Sequence, residues 1–103
     1  VNDIGANVDG TGRDESHAAK TVADIKAAGG EAMIDGEDVA SWDGSKRMID
    51  RAIKTYGKLD ILINNAGILR DKTFSKMEMA DFELVMNVHL MGTVKPTKVK
   101  SLE

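Results

Sequence analysis

The sequence predicts an α/β fold, with a partial parallel sheet of three strands and three helices covering both of its faces. Three observations carry that expectation. Short β-prone runs alternate with stretches of helical apolar spacing, in the order strand–helix–strand–helix–strand–helix. The run LDILIN, residues 59–64, is apolar at the consecutive positions 61 to 63, as a strand buried on both faces requires. Gly29-Gly30 and Gly57 stand where two helical stretches need a C-terminal stop.

Taken in order, VNDI at residues 1–4 is short and β-prone and reads as the tail of a strand. GANVDGTG, residues 5–12, is rich in glycine and Asx residues and reads as a loop. Over 13–28 the residues Ala18, Ala19, Val22 and Ile25 share one helical face, and Lys20 and Lys26 point elsewhere. EAMID, 31–35, is a short strand, followed by the loop GEDVAS. Ser41 or Asp43 can cap a second helix over 43–56. Its apolar face is Met48, Ile49, Ala52, Ile53 and Tyr56. After the strand 59–64 and a loop over 65–78, a third helix is expected from about Ala80 to Val94. Phe82, Val85, Met86 and His89 line one side of it.

The bulk numbers bound the class. The 103 residues make one domain, 1–103. Hydrophobic content of 42% and charged content of 30% are ordinary for a globular chain. A net charge of −3 points to neither nucleic acid nor an anionic membrane as partner, and Lys95, Lys98 and Lys100 read as a solvated face. With no cysteine there is no disulfide, thiolate metal site or cysteine nucleophile. No apolar run reaches the length of a membrane span and no signal-peptide pattern opens the chain, so the expected address is the cytoplasm or another interior compartment. The chain starts at a valine and ends in Leu-Glu, and both ends are expected to be cut ends.

In parallel sheets ligands bind beyond the carboxyl ends of the strands. That rule selects Asp3 after the first strand, Asp38 and Val39 after the second, and Asn64, Asn65, Ala66 and Gly67 after the third. All should lie along one edge. A carboxylate just past a strand can accept hydrogen bonds from both hydroxyls of an adenosine ribose and repels a 2′-phosphate, favouring NAD over NADP. An Asp-Val pair offers an acceptor to an adenine amino group and an apolar wall to its ring. Gly67 lets backbone approach a ligand closely, and the asparagines can hydrogen-bond neighbouring main chain.

The ordered set VND, DV and NNAG resembles the short-chain dehydrogenase/reductase family, and with it a Rossmann-type sheet. VNDIG, NNAGILRD and VHLMG resemble more closely the (3R)-hydroxyacyl-CoA dehydrogenase unit of peroxisomal multifunctional enzymes, over Val1 to about Lys98. The resemblance implies that Asp3 binds the adenosine ribose, and Asp38 and Val39 the adenine. It places Asn65, Ala66 and Gly67 against the adenine-side ribose and cofactor backbone, and has Asn64 stabilise the central sheet. The implied reaction is hydride transfer between NAD and a secondary alcohol or ketone, such as a 3-hydroxyacyl thioester. A peroxisomal address would follow for a eukaryotic source.

The chain also departs from the family pattern. The opening strand and its glycine-rich TGxxxGxG turn, which would seat the pyrophosphate on a helix N-terminus, are absent. GANVDGTG has the wrong spacing for that turn, lacks the Gly-Lys-Ser/Thr of a P-loop, and as a calcium loop would carry Ser16 where Glu is needed. The catalytic Ser and the Tyr-x-x-x-Lys pair are absent: four residues beyond the single tyrosine, Tyr56, stands Asp60. No efficient turnover is expected from this chain alone. His89 stands at the family's helical Asn position, where it is either a hydrogen-bonded structural residue or catalytic. Six dispersed methionines read as core filling, Trp42 as a helix-end anchor, and Glu37, Asp38 and Asp43 as no metal set.

Two functions follow. One is a fragment of an NAD-dependent oxidoreductase carrying the adenosine half of the cofactor site. The alternative is a non-catalytic α/β module that self-associates. In the family's strand order a strand belongs between 1–4 and 59–64. The expectation is therefore either a homo-oligomer, an obligate dimer, or a repaired sheet in which those two segments pair directly.

Overall fold

Ser41 opens the longest helix, and the reason is local. Its backbone is extended (φ −97°, ψ 132°) and its hydroxyl accepts from the N–H of Gly44, three residues on. The computed structural model of the chain describes residues 1–7 and 9–103; Val8, in the expected 5–12 loop, lies outside them. The helices are α1 (Ser16–Ala27), α2 (Trp42–Tyr56), α3 (Met79–Met86) and α4 (Gly92–Ser101). A 3-10 turn, Phe74–Lys76, precedes α3, and a π-helical turn, Asn87–Met91, joins α3 to α4.

Helix α1 follows a turn in which Asp14 accepts from the Ser16 N–H, and it buries Ala18 and Val22. Ala19, expected on the same face, is exposed. Helix α2 ends at Gly57, whose φ of +85° is the left-handed cap that glycine adopts without strain. It buries Ile49 to 1% exposure, worth about 1.5–3 kcal/mol against leaving that side chain in water. Ser45 is fully buried and its hydroxyl donates to the Val39 carbonyl at 3.1 Å.

The third helical stretch runs further than expected, to Ser101. Pro96 sits inside α4 and removes one intrahelical N–H. Its ring is among the most deeply buried side chains, and α4 packs on α2. Lys95 fixes the same junction. Its ammonium donates to the Ala40 carbonyl at 2.6 Å and lies 5.5 Å from the centre of the Trp42 ring. Trp42 thus anchors the start of α2, half exposed.

The expected three-stranded sheet is reduced. Among the described residues the backbone forms one isolated parallel bridge, Asn2 with Asp35. The Asp35 N–H donates to the Val1 carbonyl at 2.8 Å and the Asp3 N–H to the Asp35 carbonyl at 3.0 Å. Beneath the bridge Asp35 is 5% exposed, and its carboxylate is held by Asn2 Nδ2, the Glu37 N–H and Arg51 Nη1 at 2.6, 3.1 and 3.0 Å. Residues 59–64 make no backbone hydrogen bond to 1–4 or 31–35 among the described residues, so the repaired-sheet expectation is not met. Ile61 and Ile63 are 75% and 80% exposed. The apolar run reads as doubly covered, but coverage needs neighbouring strands at both edges, and 59–64 has none here.

Candidate functional site

Between the bridge and residues 59–68 lies a cavity of about 440 Å³, within the range of roughly 300–1,000 Å³ for small-molecule sites. Asp3, Asp38, Val39, Asn64, Asn65, Ala66 and Gly67 all line it. The three places that the strand-end rule selects therefore share one rim.

Each is held by identifiable contacts. The Asp3 carboxylate accepts from the Gly5 N–H at 2.8 Å through Oδ1, and Asp3 lines the cavity. Gly5 has φ +79°, and a Cβ there would lie 2.4–2.7 Å from the backbone of Asp14, so only glycine allows the loop to close on itself. Asp38 accepts from the Ala40 N–H at 2.8 Å, an Asx turn. Its carbonyl would sit 2.6 Å from a Cβ on Gly44, so the start of α2 presses on the Asp38 backbone. Val39 packs onto α4, with its Cγ2 2.7 Å from where a Gly92 Cβ would be.

The 64–67 turn is held from the helix side. Asn64 Nδ2 donates to Thr97 Oγ1 at 3.0 Å. The contact ties the turn to α4, while the expected role in a central sheet has no ladder to act on among the described residues. Gly67 faces the ring of His89: a Cβ would meet Cε1 at 2.7 Å. His89 Nε2 lies 3.1 Å from the Ile68 nitrogen and 2.9 Å from the Ile68 carbonyl oxygen, so the ring can accept from one or donate to the other according to its tautomer. His89 does not line the cavity among the described residues; it clasps the turn that does. The π-helical turn Asn87–Met91 places it there, since the widened turn alters which way its side chains aim. Close approach at Gly67 serves a protein side chain, the His89 ring.

Around this rim the charges are organised. Arg47 donates through Nε and Nη2 to the two Glu37 oxygens at 2.8 and 2.9 Å. Those hydrogen bonds hold the Glu37 carboxyl below its ordinary range and raise the Arg47 guanidinium. Arg70 donates to the Asp9 carbonyl at 2.7 Å and to the Asp81 carboxylate, tying the 5–14 loop to α3. Hydrogen bonds from Thr11 lower the Asp9 carboxyl, and those from Ser16 lower Asp14.

Sequence reasoning passed over Asn2 and Arg13, which also line the cavity, and Asp35, which supports it. For Asn2 the signal was its place before Asp3 at a strand end. Arg13 carried none, because it follows a loop that matches no phosphate motif.

The short chain dehydrogenase family profile matches residues 2–101. The peroxisomal hydratase-dehydrogenase-epimerase of Neurospora crassa is 44% identical over 98 residues, 95% of this chain and 11% of that protein. A short chain dehydrogenase from Mycobacterium avium superposes with a TM-score of 0.85 at 41% identity, over 99% of this chain and 36% of that one. One from Burkholderia cenocepacia, solved in complex with NADP, gives 0.80 at 28% identity, over 85% of this chain and 36% of that one. The chain thus spans about a ninth of the curated relative and about a third of the solved structures.

Proposed function

Because the chain belongs to the short-chain dehydrogenase/reductase family, we propose that residues 1–103 form a partial dinucleotide-binding domain holding the adenosine half of an NAD site. The observation that carries the reading is the shared rim of Asp3, Asp38, Val39 and residues 65–67 around one cavity. Asp3 accepts from the ribose hydroxyls through the oxygen that Gly5 leaves open. Asp38 and Val39 meet the adenine, and the backbone of 65–67 lies along the adenine-side ribose. His89 positions that turn from behind. The Asn2–Asp35 bridge and residues 59–64 are parts of a parallel sheet with helices on both faces in the intact enzyme.

The reaction of that enzyme is hydride transfer between the cofactor and a secondary alcohol or ketone. A 3-hydroxyacyl thioester is the substrate that the resemblance of VNDIG, NNAGILRD and VHLMG implies, and a dehydrogenase is named in the Neurospora relative. The compartment is the cytoplasm, or the peroxisome in a eukaryote; no helix among the described residues is long and apolar enough to cross a membrane.

Titration calorimetry with NAD and with adenosine 5′-monophosphate tests the reading. Saturable binding is expected, weakened about tenfold or more by Asp3→Ala through loss of a charge-assisted hydrogen bond. No heat at millimolar nucleotide would leave the second reading, a self-associating module without a ligand. That second reading draws on the exposed Ile61 and Ile63.

A further inference from the structure

We propose that Lys95 is a positioning residue for the base side of the cavity: by tying the Ala40 carbonyl to α4 it holds Asp38 and Val39 where they meet the adenine. The proposal rests on the adenosine reading of the cavity given above.

In sequence Lys95 belongs with Lys98 and Lys100 to a solvated face, and the structure turns it inward. It is half-buried, while Lys98 is exposed. Its ammonium donates to the Ala40 carbonyl at 2.6 Å, across a separation of 55 residues in the chain. The same ammonium stands 5.5 Å from the centre of the Trp42 ring, within cation–π range. Ala40 ends the turn that begins at Asp38, since its N–H donates to the Asp38 carboxylate at 2.8 Å. One residue thus has its N–H on the Asp38 carboxylate and its carbonyl on Lys95.

The other ties on this turn are local. The Ser41 N–H donates to the Asp38 carbonyl at 3.1 Å, and the Ser45 hydroxyl to the Val39 carbonyl at 3.1 Å. These bonds shape the turn and join it to α2. Lys95 is its polar tie to α4 among the described residues.

Helix α4 matters because it reaches both walls of the cavity. Gly92 and Pro96, one helical turn apart, line it. On one side Val39 Cγ2 lies 2.7 Å from where a Gly92 Cβ would be. On the other, Thr97 Oγ1 accepts from Asn64 Nδ2 at 3.0 Å, at the start of the 64–67 turn. Lys95 stands on the helix between those two contacts. Van der Waals contact at Val39 carries little directional preference of its own. A charge-assisted hydrogen bond to Ala40 is directional and roughly twice as strong as a neutral one. Through it the carboxylate that meets the base and the turn that lies along the ribose are both referred to one helix.

The experiment compares adenosine 5′-monophosphate with inosine 5′-monophosphate by calorimetry on the 103-residue chain. The inosine base carries a carbonyl oxygen where adenine carries its amino group, so the affinity ratio isolates what Asp38 accepts. The wild type should favour the adenosine nucleotide about tenfold, the scale of one charge-assisted hydrogen bond. Lys95→Met keeps an apolar stem and removes the donor, and should cut that preference about fivefold. Lys95→Arg restores a cationic donor and should stay within about twofold of wild type. Lys98→Met, the same charge change on an exposed side chain of α4, should also move the ratio less than about twofold. A merely structural role would weaken both nucleotides alike and leave the ratio in place. Trp42 is the single tryptophan, so its emission reads the contact separately. It should shift in Lys95→Met and stay put in Lys98→Met. If circular dichroism shows Lys95→Met unfolded, Lys95→Gln, an uncharged donor on a shorter stem, should lower the ratio in the same direction. Unchanged Trp42 emission in the Lys95 variant, or an unchanged ratio while the adenosine nucleotide still binds, overturns the inference and leaves the adenosine reading standing. A wild-type chain that binds both nucleotides equally also overturns it, because Asp38 then has no base contact for Lys95 to position. If neither nucleotide binds to a folded chain, both readings fall together.

Discussion

Gly67 and His89 show what a single position decides in this chain. The ring occupies the space where any side chain at 67 would start. Gly67→Ala must therefore push the ring off Ile68 or displace the turn, at a cost of about 1–3 kcal/mol for overpacking. Removing the ring should remove the conflict. The double variant Gly67→Ala, His89→Ala is expected to be more stable than the sum of the two single effects, which a double-mutant cycle by chemical denaturation measures. Additive effects would show that the clasp is not a real coupling. This contact also marks the limit of sequence reading at the site. The strand-end rule found the cavity rim, because it depends only on where strands finish. It could not find Arg13 or the clasp, because both depend on how a loop and a π-helical turn fold back in space, and neither leaves a spacing pattern.

At the scale of elements, what was legible was local. The Ser41 cap and the Gly57 stop are short-range signals, and α2 runs between them, Trp42–Tyr56. Ser41→Ala should cost about 1 kcal/mol of stability, read from the denaturant midpoint at unchanged slope. The strands are the part that local signals do not settle, because a strand exists only through its neighbours: residues 59–64 have the composition for a ladder and no ladder partner among the described residues. The segment linking Asp35 to α2 carries its own pH dependence. Arg47 holds the Glu37 carboxyl below its ordinary value of 4.5, so the folded chain binds that proton less readily than the unfolded one. Stability from the pair is then present above pH 4.5 and lost as the pH falls through the lowered value. Asp9 and Asp14 are lowered too and act in the same acid direction. Glu37→Gln should lower the melting temperature at neutral pH and flatten its decline in acid. An unaltered acid decline in that variant would assign the effect to the two aspartates.

The whole molecule measures 49 × 32 × 17 Å, a flat body for 103 residues, and its thinness follows from the reduced sheet. Its buried apolar side chains among the described residues are Ala18, Val22, Ile49 and Ile68, while Ile61, Ile63, Leu69 and Phe74 are 58–80% exposed. Large apolar side chains left in water favour association, and backbone groups along 59–64 that have no ladder partner among the described residues add unpaired donors and acceptors. Self-association is therefore expected whichever ligand the cavity takes, and sedimentation velocity over a concentration series should show it as a rising sedimentation coefficient. The paired change Ile61→Lys, Ile63→Lys sets two like charges on the segment and should return the chain towards monomer. Both side chains are already in water, so the folded monomer loses little burial by the exchange and its circular dichroism should persist. A wild-type chain that stays monomeric throughout the series would mean that water covers this surface at a tolerable cost, and the homo-oligomer would have to be given up.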